Sequence, residues 1–317
     1  MIQNSAMKNI LVIGAGGFIG KSLSDELYHQ SANLFLFGND IKADQYPNAH
    51  VHNELIKDFN VLNDFITDNT YVYYLINTIS PTIDDHSLIL NDVSLFVKFL
   101  SWASQFPNLH IIYTSSGGTV YKESIEPITE EHETMPISYY GMAKLTSENY
   151  LKLFAYKYNL RYTITRIANP YGIGQAFIRN QGLIPLTYNK IHEGEPILIY
   201  GKGDMIRDYI NIKDLTAALS LIPFNQNAIN ETLNLGSGLG VKIIEVISTI
   251  EESLQITAPK EYHKLHSGHV KCNMLDISKA IKVLNWKPTV TFKEGICDLT
   301  AHYNQNKQSL VIDKPLA

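Results

Sequence analysis

Cysteine is scarce: Cys272 and Cys297 are the only two among 317 residues. Two thiols in so long a chain make no disulfide framework, and a reducing compartment is the simple expectation. No Lys/Arg-rich run is present, and acids outnumber bases 31 to 26, for a formal charge of −5. That balance argues against a nucleic-acid partner. Long apolar runs are missing as well. Those such as Val72–Ile76 fall far short of a membrane span, and Met1–Asn9 is polar, without a leader-like apolar stretch. A cytoplasmic protein with no membrane partner is therefore expected. Hydrophobic residues make up 45% and charged residues 18% of the chain, enough apolar mass for a packed core.

What is present has a rhythm. Short apolar runs at Ile10–Ile13, Leu34–Phe37, Val72–Ile76, His110–Thr114 and Tyr162–Ile167 read as strands. Most are almost continuously apolar, as strands buried on both faces of a parallel sheet must be. Helical patterns near Phe18–Gln30, Leu88–Ser104 and Tyr140–Tyr158 lie between them. Strand-then-helix repetition predicts an α/β fold with a doubly wound parallel sheet, of Rossmann type. After Asn169 the pattern loosens, with a helical stretch near Leu183–His192. A dinucleotide-binding domain over residues 8–170 and a smaller substrate-binding lobe over residues 171–305, with some segments returning to the first domain, are expected.

The segment Ile10–Gly20 reads as strand, glycine turn and helix start, with glycines at 14, 17 and 20. A pyrophosphate needs backbone N–H groups aimed at it and no side chain in the way, and a helix N-terminus adds partial positive charge. Gly14, Gly17, Phe18, Ile19 and Gly20 are thus candidates to hold a dinucleotide. Asp40, beyond the second strand, is placed to hold an adenosine ribose. No Arg follows it directly, which favours NAD over NADP. Asp58 is either a partner for the adenine amino group or a solvated loop acid.

Tyr140 and Lys144 stand four residues apart at the head of a helix, so their side chains share one face. A free phenol, with a pKa of about 10, is a poor base at neutral pH. A neighbouring ammonium and a cationic nicotinamide ring both favour phenolate. Tyr140 is then able to remove a hydroxyl proton while hydride leaves the same carbon. Lys144 is placed to hold the nicotinamide ribose.

With the glycine loop, this pair resembles the extended short-chain dehydrogenase/reductase family, whose members act on nucleotide-sugars. The resemblance runs from about Lys8 to Thr300, nearly the whole chain. It implies cofactor contacts at Asn77 and Thr78, in the segment Asn77–Ser80. It implies active-site hydroxyls in Thr114–Tyr121. In Arg166–Gly172 it places Asn169 on the substrate diphosphate, and in Gly201–Ile210 it places Arg207 on the nucleotide phosphates. Two departures stand out. The family's catalytic Ser or Thr falls on Gly117, leaving Ser116, Thr119 or a water as substitute. The late arginine that holds the diphosphate in many epimerases falls on His266.

The resemblance implies a UDP- or dTDP-sugar substrate and a homodimer built on helices Leu88–Ser104 and Tyr140–Tyr158. Phe96, Phe99, Trp102, Phe154 and Tyr158 on them look exposed, although core packing would give the same pattern. Dehydration is set aside, because Gly118-Thr119 stands where dehydratases carry Asp-Glu. A 4-epimerase using bound NAD is preferred to an NAD(P)H-dependent 4-keto reductase. A non-catalytic dinucleotide sensor or scaffold is the third reading, prompted by Gly117. His263, His266 and His269 lack acid or cysteine ligands at useful spacing, so no metal is expected.

Overall fold

The computed structural model describes residues 7–54, 56, 58–77, 86–175, 182–264 and 270–310. The chain runs β1 (Lys8–Ile13), α1 (Phe18–Tyr28), β2 (Ala32–Phe37), β3 (His50–His52), β4 (Thr70–Tyr74), α2 (His86–Ala103), β5 (His110–Ser116), α3 (Tyr139–Tyr158) and β6 (Arg161–Ile167). It continues through β7 (Asn169–Tyr171), α4 (Leu183–Glu193), β8 (Ile197–Tyr200), β9 (Ile206–Asn211), α5 (Ile212–Leu221), β10 (Glu231–Leu235) and β11 (Gly240–Lys242). The last elements are α6 (Ile243–Leu254), β12 (Lys260–His263), β13 (Cys272–Asn273), α7 (Ser278–Leu284) and α8 (Phe292–Leu310).

Seven strands form one sheet in the order β10-β6-β5-β4-β1-β2-β3, every pair parallel. Strand order reverses between β1 and β4, and the crevice beyond their carboxyl ends is where such sheets bind ligands. Successive residues of a strand point to opposite faces. Ile10, Val12, Leu34, Leu36 and Tyr73 pack on one side with residues of α1, α5 and α7. Leu11, Ile13, Phe35, Phe37, Val72 and Tyr74 pack on the other with residues of α2 and α3. Burial on both faces explains the unbroken apolar runs in the sequence. A third core gathers Tyr188, Ile199, Tyr209, Ile247 and Leu299 around the small sheets β11-β9-β13 and β12-β8. Among the described residues no helix is long and apolar enough to cross a membrane.

Two expectations need correction. The strand expected at Val72–Ile76 lies two residues earlier, at Thr70–Tyr74. Leu75 still donates to Ile13 O at 2.9 Å, but the chain then leaves the sheet towards the crevice. Phe96, Phe99 and Trp102 are not exposed: each is at most 5% accessible. They lie on the sheet-facing side of α2, where Phe96 and Phe99 contact Tyr74 and Trp102 contacts Phe59. Phe154 packs against the same core, whereas Tyr158 is exposed.

His110 opens β5 in full burial, with Nε2 2.8 Å from Thr163 Oγ1. Burial pushes its pKa down to about 3 from the ordinary 6.5. The folded chain therefore excludes a proton that the unfolded chain binds below 6.5, so this contribution to stability is intact above pH 6.5 and is lost as pH falls towards 3. Denaturant midpoints measured across that window should show a loss of up to about 1.4 kcal/mol per pH unit, flattened by His110→Gln. An unchanged acid slope in the variant would assign the acid sensitivity elsewhere.

Candidate active site

The cofactor side of the crevice begins where β1 ends. Gly14 has φ +96°, a conformation open to glycine at little cost, and the Gly14 and Ala15 N–H groups both donate to Phe37 O, at 2.8 and 3.0 Å. This ties the turn to the end of β2. Helix α1 then starts at Phe18, with Gly17 as its N-cap and neither a capping side chain nor an acid in its first turn. A Cβ on Gly17 would meet only Gly14 O, at 3.4 Å. The first-turn amides at Phe18, Ile19 and Gly20 thus sit at a bare, side-chain-free helix terminus, which fits a dinucleotide pyrophosphate. Asp40 is exposed beyond β2, with φ +59°. Gly38, the residue that follows β2, is pressed to the turn: a Cβ there would stand 2.9 Å from Gly16 N. Asp58 caps a short 3-10 helix by accepting from Asn60 N at 3.0 Å. Thr78 and His266 lie outside the described residues.

The reacting side forms where α3 meets the end of β5. Ser138 caps α3 by accepting from Gly141 N at 3.1 Å. A Cβ on Gly141 would fall 2.3 Å from Thr119 O, so only glycine lets the helix approach this turn so closely. Tyr140, on that first helical turn, has the Ser116 hydroxyl near enough to bear on its pKa. Lys144 lies one turn on, buried, with Nζ donating to Thr114 O at 3.1 Å and standing 5.6 Å from the Tyr140 ring centroid. Tyr74, Asn77, Asp92, Tyr113 and Ser147 line the same cavity as Tyr140 and Lys144.

The expected lowering of the Tyr140 pKa is not found. Burial pushes the phenol up to about 12, the nearby Ser116 hydroxyl works against that rise, and the Asp92 charge adds to it. Burial also lowers Lys144 to about 8, opposed by Asp92 and Glu148. Desolvation outweighs the Ser116 hydroxyl at Tyr140 and the two carboxylates at Lys144.

Gly117 lacks a hydroxyl for a spatial reason. A Cβ there would stand 2.6 Å from Leu275 Cδ1 and 3.1 Å from Arg166 O. Leu275 fills the place, and Asn273 Nδ2 donates to Gly117 O at 3.0 Å. The neighbouring Gly118 is open: a Cβ on it would lie 3.9 Å from Ser116 Oγ and 4.0 Å from Asn169 Oδ1, so these two groups flank one space. Thr119 Oγ1 is buried and has no hydrogen-bond partner among the described residues.

Asn169 Nδ2 donates to Asp208 O at 2.7 Å, linking β7 to β9. Arg207, half-buried, donates from Nη1 to Ile206 O and from Nη2 to Val270 O, at 2.8 and 2.7 Å. Among the described residues no carboxylate pairs with it at salt-bridge distance. Its neighbour Asp208 is fully buried and accepts from Ser237 N and Oγ, Gly238 N and Leu275 N at 2.7 to 3.3 Å. One carboxylate thereby joins β9 to the residues packed on Gly117.

Residues not anticipated from sequence hold this geometry. Glu148, wholly buried one turn beyond Lys144, accepts from Ser115 Oγ at 2.5 Å and takes both Nε and Nη2 of Arg166, at 3.1 and 2.7 Å. Arg166 stacks on Tyr121, whose hydroxyl donates to Asn234 Oδ1 at 2.6 Å. The signal for Glu148 was available, since it continues the four-residue spacing of Tyr140 and Lys144. Asp92 carried no such mark.

Residues 10–236 match the model of the NAD dependent epimerase/dehydratase family. The chain is 32% identical over 314 residues to a dTDP-4-dehydro-6-deoxyglucose reductase of Escherichia coli, spanning 92% of this chain and 96% of that one. It is 29% identical over 299 residues to a putative UDP-glucose 4-epimerase of Methanocaldococcus jannaschii, spanning 90% and 95%. Among solved structures, a UDP-glucose 4-epimerase from Thermotoga maritima with UDP-glucose superposes with TM-score 0.84 at 27% identity, over 94% of this chain and 99% of that chain.

Glu148→Gln should leave the Arg166 guanidinium buried without its counter-charge and cost about 3 kcal/mol in denaturant unfolding. A loss under about 0.5 kcal/mol would mean that the pair is not the clamp described.

Proposed function

This chain belongs to the NAD-dependent epimerase/dehydratase family, and we propose that it is a nucleotide-sugar 4-epimerase that oxidises and then reduces the sugar C4 through bound NAD. The observation that carries the reading is the cavity that Tyr140 shares with buried Lys144, with the Ser116 hydroxyl close to the phenol. It sets a phenol, a hydroxyl and an ammonium around one space, the minimum set for moving a proton on a sugar hydroxyl during hydride transfer.

The α1 terminus holds the dinucleotide phosphates, and Lys144 holds the nicotinamide ribose. Oxidised nicotinamide supplies the hydride acceptor and a positive charge. That charge counters the burial that keeps Tyr140 protonated at about 12. Tyr140 accepts the O4 proton as the C4 hydrogen leaves with its electron pair, and returns it when hydride comes back. Ser116 donates to the reacting oxygen in place of the hydroxyl that Gly117 lacks. Asn169 and Arg207 take the diphosphate; Arg207 meets only backbone carbonyls and has no carboxylate partner among the described residues, so it remains suited to a phosphate.

A second reading, a 4-keto reductase releasing oxidised cofactor, is favoured by the likeness to the Escherichia coli reductase. The two differ in whether added NADH is consumed. Purified protein given UDP- or dTDP-sugars should interconvert 4-epimers with no added cofactor. Stoichiometric loss of NADH absorbance with a 4-keto-sugar would select the reductase. Tyr140→Phe should lower kcat by about a hundredfold or more while dinucleotide affinity stays within about twofold. Full activity in that variant would remove Tyr140 from the chemistry.

A further inference from the structure

Asp92 is the acid that the reading above leaves without a task. It stands on α2, half-buried, and lines the cavity it shares with Tyr74, Tyr113, Tyr140, Lys144 and Ser147. Among the described residues the other charges near that wall are Lys144 and Glu148. Lys144 donates to Thr114 O, and Glu148 lies behind it with its oxygens taken up by Arg166 and Ser115. Among the described residues, the other titratable groups that line the cavity are the phenols of Tyr74 on β4, Tyr113 on β5 and Tyr140 on α3. Those rings and Ala143 make a weakly polarisable surround, in which a carboxylate acts on its neighbours far more strongly than in water.

Resting on the dinucleotide reading, we propose that Asp92 is the counter-charge of the hydride-transfer cleft, a positioning residue that favours its cationic members, the Lys144 ammonium and the oxidised nicotinamide ring, over their neutral forms. The two halves of a redox cycle differ by one positive charge on that ring. A fixed anion in the same cavity therefore binds the oxidised cofactor better than the reduced one. The same anion keeps a proton on Lys144 against burial, and it disfavours phenolate at Tyr140. Asp92 thus biases the resting site towards bound NAD and a charged lysine, while its effect on Tyr140 opposes the phenolate that must take the O4 proton.

The test is the ratio of two dissociation constants, read by calorimetry on the full chain without any turnover. Replacing the carboxylate by an amide in Asp92→Asn, with Asp92→Ser as a second variant, should raise Kd for NAD relative to Kd for NADH by about three- to tenfold. The alkaline loss of NAD affinity should also move to lower pH, as Lys144 gives up its proton sooner. A merely structural role would weaken both cofactors alike. An unchanged ratio in both variants, with tight wild-type binding, overturns the proposal alone. Wild-type protein that binds neither dinucleotide overturns the functional reading and this proposal with it.

Discussion

The geometry of this protein depends on one buried carboxylate. Glu148 has no contact with solvent, and it joins α3 to β5 through Ser115 and to β6 through both nitrogens on one side of Arg166. Burying an ion pair yields little net stability, because desolvation consumes most of the attraction. It does fix position. Any rotation or slide of α3 would strand a charge in the core, so the helix has one register against the sheet. Tyr140 and Lys144 ride on that helix at two and one turns before Glu148, and Ser116 follows Ser115. The clamp therefore sets the distance between the phenol and the hydroxyl that meets it.

Burial that fixes these groups also works against their chemistry. It raises the phenol to about 12 and lowers the lysine to about 8, each away from its reactive charge state. Glu148 and Asp92 offset this at Lys144, whereas Asp92 adds to it at Tyr140; under the proposed function it is the charge of the oxidised nicotinamide that favours phenolate. A second buried acid, Asp208, does comparable structural work in the C-terminal part. Its four accepted hydrogen bonds hold β9, the Ser237 turn and Leu275 together. Leu275 in turn occupies the space beside Gly117, so the missing hydroxyl and the packing of the substrate side are one arrangement.

The sheet was legible in the sequence because strands buried on both faces are written as apolar runs, and the glycine turn because a left-handed residue such as Gly14 between strand and helix favours glycine. NAD dependence and enzymatic function follow from family membership. Tyr140 and Lys144 were legible from helical spacing. The aromatic face of α2 was misread, since periodicity alone does not say which side of an amphipathic helix meets the sheet. Glu148–Arg166 and Asp208 were missed because their partners are distant in sequence: Arg166 is 18 residues from Glu148, and Leu275 is 67 from Asp208. The packing reason for Gly117 was hidden likewise, depending on a leucine more than 150 residues later in the chain. A lowered phenol pKa was expected from a neighbouring ammonium and a cationic nicotinamide; the extent of desolvation is a property of the folded environment and has no local signature.

The central claim is that hydride leaves a sugar carbon next to Tyr140 and is held by the cofactor until it returns. Its most direct test is a nucleotide-sugar deuterated at C4, given to the protein in a single turnover and followed by mass spectrometry of sugar and cofactor. The account predicts deuterium on the nicotinamide during turnover and back at C4 of the epimerised sugar. Epimerised sugar whose C4 deuterium has exchanged with water, with none ever on the cofactor, would contradict it.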